Sequence, residues 1–287
     1  MATFTAAEAA ACRGLIALAL AEDLGDTGDR TSAALIPADQ PGQAMFVART
    51  PGVVAGLPAA AMVCAAVDAK LMLSPAIPDG SPVERGTLIA TVSGSLRSIL
   101  AAERTALNFL QRLSGVASLT RQYVKLAAGF PAKILDTRKT IPGWRLLEKY
   151  AVRMGGGTNH RIGLYDGILI KDNHLAGLNG DVRRAVELAR AANAGIPVEV
   201  EVDTLAQLEV ALACHADIVL LDNMTADQMR QAVVRRDAVS PSTKLEASGG
   251  VNLSTVREIA STGVDRISIG ALTHSAPALD IGLDYGS

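Results

Sequence analysis

The sequence predicts an α/β protein in two parts: a mixed N-terminal part, and a C-terminal part built on a parallel sheet. Three observations carry this. From Lys133 onward, short β-like runs alternate with helix-like runs, while the residues before about 115 lack that rhythm. Strands separated by helices of this length imply right-handed βαβ units and a parallel sheet. With 287 residues, 49% of them apolar and 20% charged, the chain is globular and long enough for one large or two ordinary domains.

Taken in order, Thr5 is placed to cap a helix running to about Leu24, which Gly25-Asp26-Thr27-Gly28-Asp29 breaks. Strand-like runs follow at Gln43 to Arg49 and Thr87 to Ser93, with an Ala-rich helix near Pro58 to Lys70 between them and turns marked by Gly80 and Pro82. A long helix spans about Leu96 to Leu113, and a second is expected after Gly115, ending near Gly129. The later strands are Lys133 to Asp136, Gly167 to Lys171, Val198 to Val202, Asp217 to Asp222, Lys244 to Ala247 and Asp265 to Ile269. Helical patterns at Gly143 to Arg153, Val182 to Ala192, Leu205 to Cys214, Ala226 to Arg235 and Leu253 to Ser261 separate them. Six or so such units point to a barrel; an open doubly wound sheet is the weaker option, because no GxGxxG opens a helix after a strand. The change of rhythm puts the domain boundary near residue 115: 1–115, then 116–275, then a tail 276–287.

Composition narrows the function. The formal charge is -2, yet Lys133 to His174 holds eight Lys or Arg against four acids. A near-neutral chain that gathers cations at loop positions is collecting a small polyanion, whereas duplex nucleic acid wants a broad basic face. Aromatics at 3% argue against base-stacking surfaces. Cys12, Cys64 and Cys214 are odd in number and in no ligand spacing, which reads as reduced core thiols and a cytoplasmic setting. No run of about eighteen apolar residues is present, so no membrane span is expected.

In a barrel, chemistry sits at the C-terminal ends of the strands. The unusual polar residues lie there: Thr137-Arg138-Lys139, Lys171, Glu201, Asp222, Ser248-Gly249-Gly250 and Ile269-Gly270-Ala271. The glycine sites at two consecutive late strands fit a phosphate site, since Gly admits close approach and a following helix N-terminus offers N–H groups; a plain tight turn is the bland alternative for either alone. His274 is a further donor there or a helix cap. In Val198-Glu199-Val200-Glu201-Val202 the glutamates share one face and point into the barrel, where a carboxylate needs a partner. Glu201 and Asp222 suit Mg²⁺, directly or through water, or ribose hydroxyls; Glu199 reads as structural. Arg138, Lys139, His160, Arg161 and Lys171 together would grip several negative groups, Arg in bidentate fashion and Lys as a point charge. Trp144 reads as packing, His215 as unpartnered, and His174 as orienting the Lys171 loop. Neither a Ser-His-Asp nucleophile nor Cys/His metal spacing is visible.

Several runs are similar to those of the quinolinate phosphoribosyltransferase family: AERTALNFLQRLSG at 102–115, DTRKTIPG at 136–143, LEKYAVRMGGGTNHRIGLYDGILIKDNH at 147–174, EVEVDTLAQ at 199–207, LLDN at 220–223, EASGGV at 246–251 and IGALTHS at 269–275. Ile141 stands where the family pattern often has Thr. The resemblance implies an N-terminal α/β sandwich before an open, incomplete α/β barrel. It implies a pentosyltransferase that joins quinolinate to 5-phosphoribosyl 1-pyrophosphate with Mg²⁺, releasing pyrophosphate and CO₂ to give nicotinate mononucleotide for NAD biosynthesis. It also implies a homodimer with shared sites, in which Arg104 comes from the neighbouring subunit, with higher assembly left open. Arg104, Thr137, Arg138, Lys139, His160, Arg161 and Lys171 would hold quinolinate. Lys139 and Lys171, with Glu201 and Asp222, would be catalytic, and Ser248, Gly249, Gly250, Ile269, Gly270, Ala271 and His274 would take the phosphoribosyl group. A molybdate-transport-associated relative acting on another ring acid, and a non-catalytic phosphometabolite binder, are the competing readings.

Overall fold

The structure, a computed structural model, describes residues 3–192 and 195–285. In chain order the elements are α1 (Ala6–Leu24), α2 (Arg30–Leu35), β1 (Pro41–Ala48), β2 (Gly52–Val53), α3 (Leu57–Val67), β3 (Met72–Pro75), β4 (Pro82–Val83), β5 (Leu88–Ser95), α4 (Leu96–Leu126), β6 (Lys133–Leu135), α5 (Arg145–Met154), β7 (Ile168–Ile170), α6 (Asp172–Ala176), α7 (Val182–Ala192), β8 (Val198–Val202), α8 (Leu205–Ala213), β9 (Ile218–Asp222), α9 (Ala226–Val239), β10 (Lys244–Ser248), α10 (Val256–Ser261), β11 (Arg266–Ser268), α11 (Ala271–His274) and β12 (Ile281–Tyr285).

Residues Met1–Arg121, Thr140–Gly156 and Leu272–Ser287 form one compact unit, and Gln122–Lys139 with Gly157–Ala271 the other. The first unit is an α/β sandwich. Its main sheet is antiparallel in the order β12-β1-β5-β3, beside a two-stranded ribbon β2-β4. Helix α1 packs on α3 and α5. Its start is a capping box: Thr5 Oγ1 accepts from the Glu8 N–H and the Glu8 carboxylate accepts from the Thr5 N–H. β12 joins β1 from Ala48↔Ile281 to Ala44↔Tyr285.

Where two helices parted at Gly115 were expected, α4 is a single helix of 31 residues. A Cβ at Gly115 would stand 2.0 Å from the Pro277 carbonyl oxygen. The glycine therefore serves the close approach of a second segment, not a chain reversal. In the contacts of the folded chain, residues 140–156 and the C-terminal segment belong to the first unit.

The second unit holds six parallel strands in the order β6-β11-β10-β9-β8-β7. β6 and β7 are successive in this sheet's chain order yet occupy its opposite edges and do not pair, which makes the barrel open. Helices α7 to α10 pack side by side around it. Thr204 with Gln207, and Thr225 with Gln228, form capping boxes that start α8 and α9. Strand alternation sorts the faces. Val198, Val200 and Val202 are buried on the helix-facing side, and Glu199 and Glu201 point inward. Among the described residues no helix is long and apolar enough to cross a membrane. The cysteines are unpaired, and burial raises the Cys12 and Cys64 thiols to about 11.

Candidate active site

All six strands of the barrel deliver residues to one cavity of about 630 Å³ at their C-terminal ends. The size suits a small-molecule substrate pair. The lining follows the two-residue period of strands: Leu169 from β7 and Lys171 just after it, Glu201 from β8, Leu220 and Asp222 from β9, Glu246 and Ser248 from β10, and Ser268 from β11. Thr137, Arg138 and Lys139 follow β6, and His160 and Arg161 come from the segment between β6 and β7, on the open side of the barrel.

Lys171 Nζ lies 3.3 Å from Glu201 Oε2. Lys171 also starts α6, where its N–H donates to His174 Nδ1 at 2.9 Å, so His174 orients this corner. Burial raises the Glu201 carboxyl above the usual carboxylate range. Lys171 opposes that rise, and Asp222 and Asp172 add to it. Glu201 and Asp222 thus line one cavity from neighbouring strands as two like charges, an arrangement that a cation between them would relieve.

The glycine turn after β10 is sterically required. Gly249 has φ +89°, and a Cβ there would stand 2.1 Å from Asn223 Oδ1. Asn223 is itself left-handed at φ 52°, donates its N–H to Ser248 O at 3.0 Å, and donates Nδ2 to Asp222 at 2.8 Å. The turn and the Asp222 carboxylate are therefore one assembly.

His160 and Glu246, which line the cavity, belong to a buried charge network. His160 Nε2 is 3.0 Å from Glu199 Oε2 and 3.4 Å from Glu246 Oε1, and Arg266 Nε is 2.6 Å from Glu246 Oε2. His160 N donates to Asp136 Oδ1 at 2.9 Å, and Asn159 Nδ2 to Asp136 Oδ2 at 2.5 Å. Burial alone would lower the His160 pKa, but Glu199 and Glu246 more than offset it and hold it near 9. The Arg161 N–H donates to His160 Nδ1 at 2.8 Å, which directs the ring proton on Nε2 at the two acids and works against a second proton on Nδ1. Burial and Glu246 push the Glu199 carboxyl up, whereas His160 and Arg266 overcome burial to hold Glu246 low. Arg161 is pushed below its ordinary value by burial and by Arg138, so two guanidiniums crowd the same wall. Such crowding is what a multiply charged anion would repair.

The structure thus brings together Thr137, Arg138, Lys139, His160, Arg161, Lys171, Glu201, Asp222, Ser248, Gly249 and Gly250. Ile269, Gly270 and Ala271 follow β11 but do not line the cavity; Ile269 N instead donates to Leu135 O at 2.9 Å. Arg104, on α4, and His274, whose Nδ1 is 2.6 Å from Ser275 Oγ, belong to the first unit. Sequence reasoning did not single out Glu246, Asp136, Asn223 or Ser268. The signal for Glu246 was present: an acid inside the strand KLEAS, two residues before the glycine turn and on the inward face. Trp144 stacks on Phe109 with ring centroids 4.7 Å apart, a packing role.

A parallel barrel with this cavity at its strand C-termini is an α/β-barrel enzyme for small anionic substrates. Comparison with known proteins narrows the class. The family model for the quinolinate phosphoribosyl transferase C-terminal domain matches residues 116–284, and that for the N-terminal domain matches residues 29–114. The chain belongs to the quinolinate phosphoribosyltransferase family. It is 46% identical over 277 residues to the Mycobacterium leprae nicotinate-nucleotide pyrophosphorylase (carboxylating), covering 96% of this chain and 97% of that one. It is 43% identical to the decarboxylating quinolinate phosphoribosyltransferase 1b of Nicotiana tabacum, covering 94% and 81%. Among solved structures it is similar to NadC from Streptococcus pyogenes, with a TM-score of 0.92, 38% identity and full coverage of both chains. It is also similar to the nicotinate-nucleotide pyrophosphorylase from Francisella tularensis, with a TM-score of 0.91, 40% identity and 96% of each chain covered.

Proposed function

We propose that this chain is a decarboxylating quinolinate phosphoribosyltransferase. It transfers the phosphoribosyl group of 5-phosphoribosyl 1-pyrophosphate to quinolinate and releases pyrophosphate and CO₂, giving nicotinate mononucleotide for de novo NAD biosynthesis. The observation that carries this is the single cavity in which Arg138, Lys139, Arg161 and Lys171 meet Glu201 and Asp222. The relatives reported above are named for this reaction, and none is named for the molybdate-associated alternative. A pure phosphate binder has no use for Glu201 and Asp222 at the cavity.

Roles follow from charge. Arg138 and Arg161 grip the ring carboxylates, and Lys139 and Lys171 face the pyrophosphate. The turn at Ser248-Gly249-Gly250 offers backbone N–H groups to the 5-phosphate. As the C1–O bond to pyrophosphate breaks, positive charge develops on the ribose carbon, and Glu201 and Asp222 stabilise it. The pyridine nitrogen then attacks that carbon. The pyridinium nitrogen so formed stabilises the electron pair left on the ring C2 when the 2-carboxylate leaves as CO₂, and that carbon then takes a proton from water, so no protein nucleophile is needed. Glu201 and Asp222, two carboxylates at one cavity, are the residues that would hold Mg²⁺, directly or through water, and the ion would supply positive charge to neutralise the pyrophosphate.

The family resemblance supports a homodimer in which the partner's Arg104 completes the quinolinate site, and the cysteine usage supports a cytoplasmic setting. The test of function is direct. Purified protein with Mg²⁺ and 5-phosphoribosyl 1-pyrophosphate should release CO₂ from quinolinate and form nicotinate mononucleotide. Turnover of nicotinate instead, or none with any ring acid, overturns the reading.

A further inference from the structure

Arg161 does not hang freely from a surface loop. Its backbone N–H is tied to His160 Nδ1 at 2.8 Å, and its Nη1 donates to the Gly167 carbonyl at 3.0 Å. Between these ties the chain makes a closed loop, and Asp166 closes it. Asp166 Oδ2 accepts the Ile162 N–H at 2.8 Å and Oδ1 accepts the Gly163 N–H at 2.8 Å, so both carboxylate oxygens hold backbone.

Two glycines make the closure possible. A Cβ on Gly167 would stand 3.1 Å from Arg161 Cβ and 3.4 Å from its Cδ, so the arginine stem lies flat on the bare Gly167 backbone. A Cβ on Gly163 would come within 2.5 Å of the Tyr165 ring. The loop tip, Leu164 and Tyr165, is 72% and 77% exposed, so the apolar core does little to hold this segment. Its order rests on polar closure and the glycine contact.

There is a reason for such a brace. Arg161 is half-buried beside Arg138, and like charge together with lost hydration drives a mobile arginine toward water. An arginine also carries large rotamer entropy, which must be surrendered when it grips an anion. A guanidinium already fixed in the wall surrenders less.

We propose that Asp166 is a positioning residue for the ring acid: it closes the 161–167 loop, and the closed loop holds Arg161 in the cavity wall ready for a carboxylate. This rests on the function proposed above. The loop controls capture of the diacid and leaves transfer of the phosphoribosyl group to Lys171, Glu201 and Asp222.

The test uses the full-length protein with Asp166→Ala and, independently, Gly167→Ala, which inserts a methyl group under the Arg161 stem. Each should raise the quinolinate KM by about tenfold, the scale of one charge-supported hydrogen bond, with kcat and the KM for 5-phosphoribosyl 1-pyrophosphate within about twofold of wild type. Asp166→Asn, which keeps one acceptor oxygen, should fall between. Amide exchange at Ile162 and Gly163 should quicken in Asp166→Ala. An unchanged quinolinate KM in both alanine variants overturns the inference, as does a fall in kcat or a matching rise in the other KM. A wild-type chain that does not turn over quinolinate overturns the proposed function, and this inference with it. Wild-type turnover with unaltered variants overturns this inference alone.

Discussion

Glu201 is a partly buried acid whose only ion-pair partner among the described residues is Lys171, at 3.3 Å, and a second acid, Asp222, acts on it from the neighbouring strand. Structure alone gives little reason to assemble such a group, because burying a carboxylate is costly. In the proposed reaction, stabilising a cationic ribose carbon would supply the reason. Glu201→Ala and Asp222→Ala should each lower kcat by roughly 10²–10³-fold, the usual loss when one stabilising group is removed from a transition state. Arg138→Ala should instead act mainly on the quinolinate KM, raising it about tenfold or more. Steady-state kinetics with each substrate varied in turn separates the two, and an acid variant with near wild-type kcat defeats the assignment. Residue types at strand ends were enough to find these groups. His160 was found too, but not its setting between Glu199 and Glu246, because neither acid is near it in the chain.

Asp265 begins the turn of chain into β11 and shows how an element is held. It accepts the Leu245 N–H at 2.9 Å, Arg236 Nη1 at 2.6 Å and Lys244 Nζ at 3.2 Å, tying α9 and β10 to β11. Burial pushes its carboxyl up, but the Leu245 N–H and Arg236 more than reverse this, leaving it below the usual range. A depressed folded pKa stabilises above the unfolded carboxylate pKa, and the benefit is lost as pH falls through the folded value. Asp265→Asn should therefore cost about 1–3 kcal/mol near pH 7, with the gap to wild type narrowing below about pH 4. Thermal unfolding across pH reads this out, and a gap that does not depend on pH refutes it. Gly115→Ala tests α4 in the same way. The added methyl collides with the Pro277 carbonyl, so urea unfolding should show a loss of about 1–3 kcal/mol, despite the better helix propensity of alanine. An unchanged midpoint would mean that the two segments are not in contact. α8 and α9 were legible from the helical patterns at Leu205 to Cys214 and Ala226 to Arg235, and their capping boxes are equally local. β2, β3, β4 and β12 were not, since two to five residues become strands only through distant partners.

For the whole molecule, the proposed dimer gives a prediction that neither variant gives alone. Arg104→Ala and Glu201→Ala should each be nearly inactive. Mixed and allowed to exchange subunits, they should recover about a quarter of wild-type activity, because half of the dimers are hybrids with one intact site of two. Recovery should follow the hybrid fraction measured by native mass spectrometry. Hybrids without activity would sink the shared site.

The class of the fold is readable along the chain, because strand and helix periods, caps and breakers are short-range and additive. So are the residue types that line the cavity, because parallel strands that end together carry their terminal residues to one face: Thr137, Lys171, Glu201, Asp222 and Ser248. It took the folded chain to show that Gly115 belongs inside a helix, that Glu246 and Glu199 both pair with His160, and that Asp166 closes the loop carrying Arg161. The Gly115 and His160 contacts join residues tens to more than a hundred positions apart, and whether a glycine turns the chain or admits a neighbour depends on what stands 2 to 3 Å away. That distance is set by packing, which no local pattern encodes.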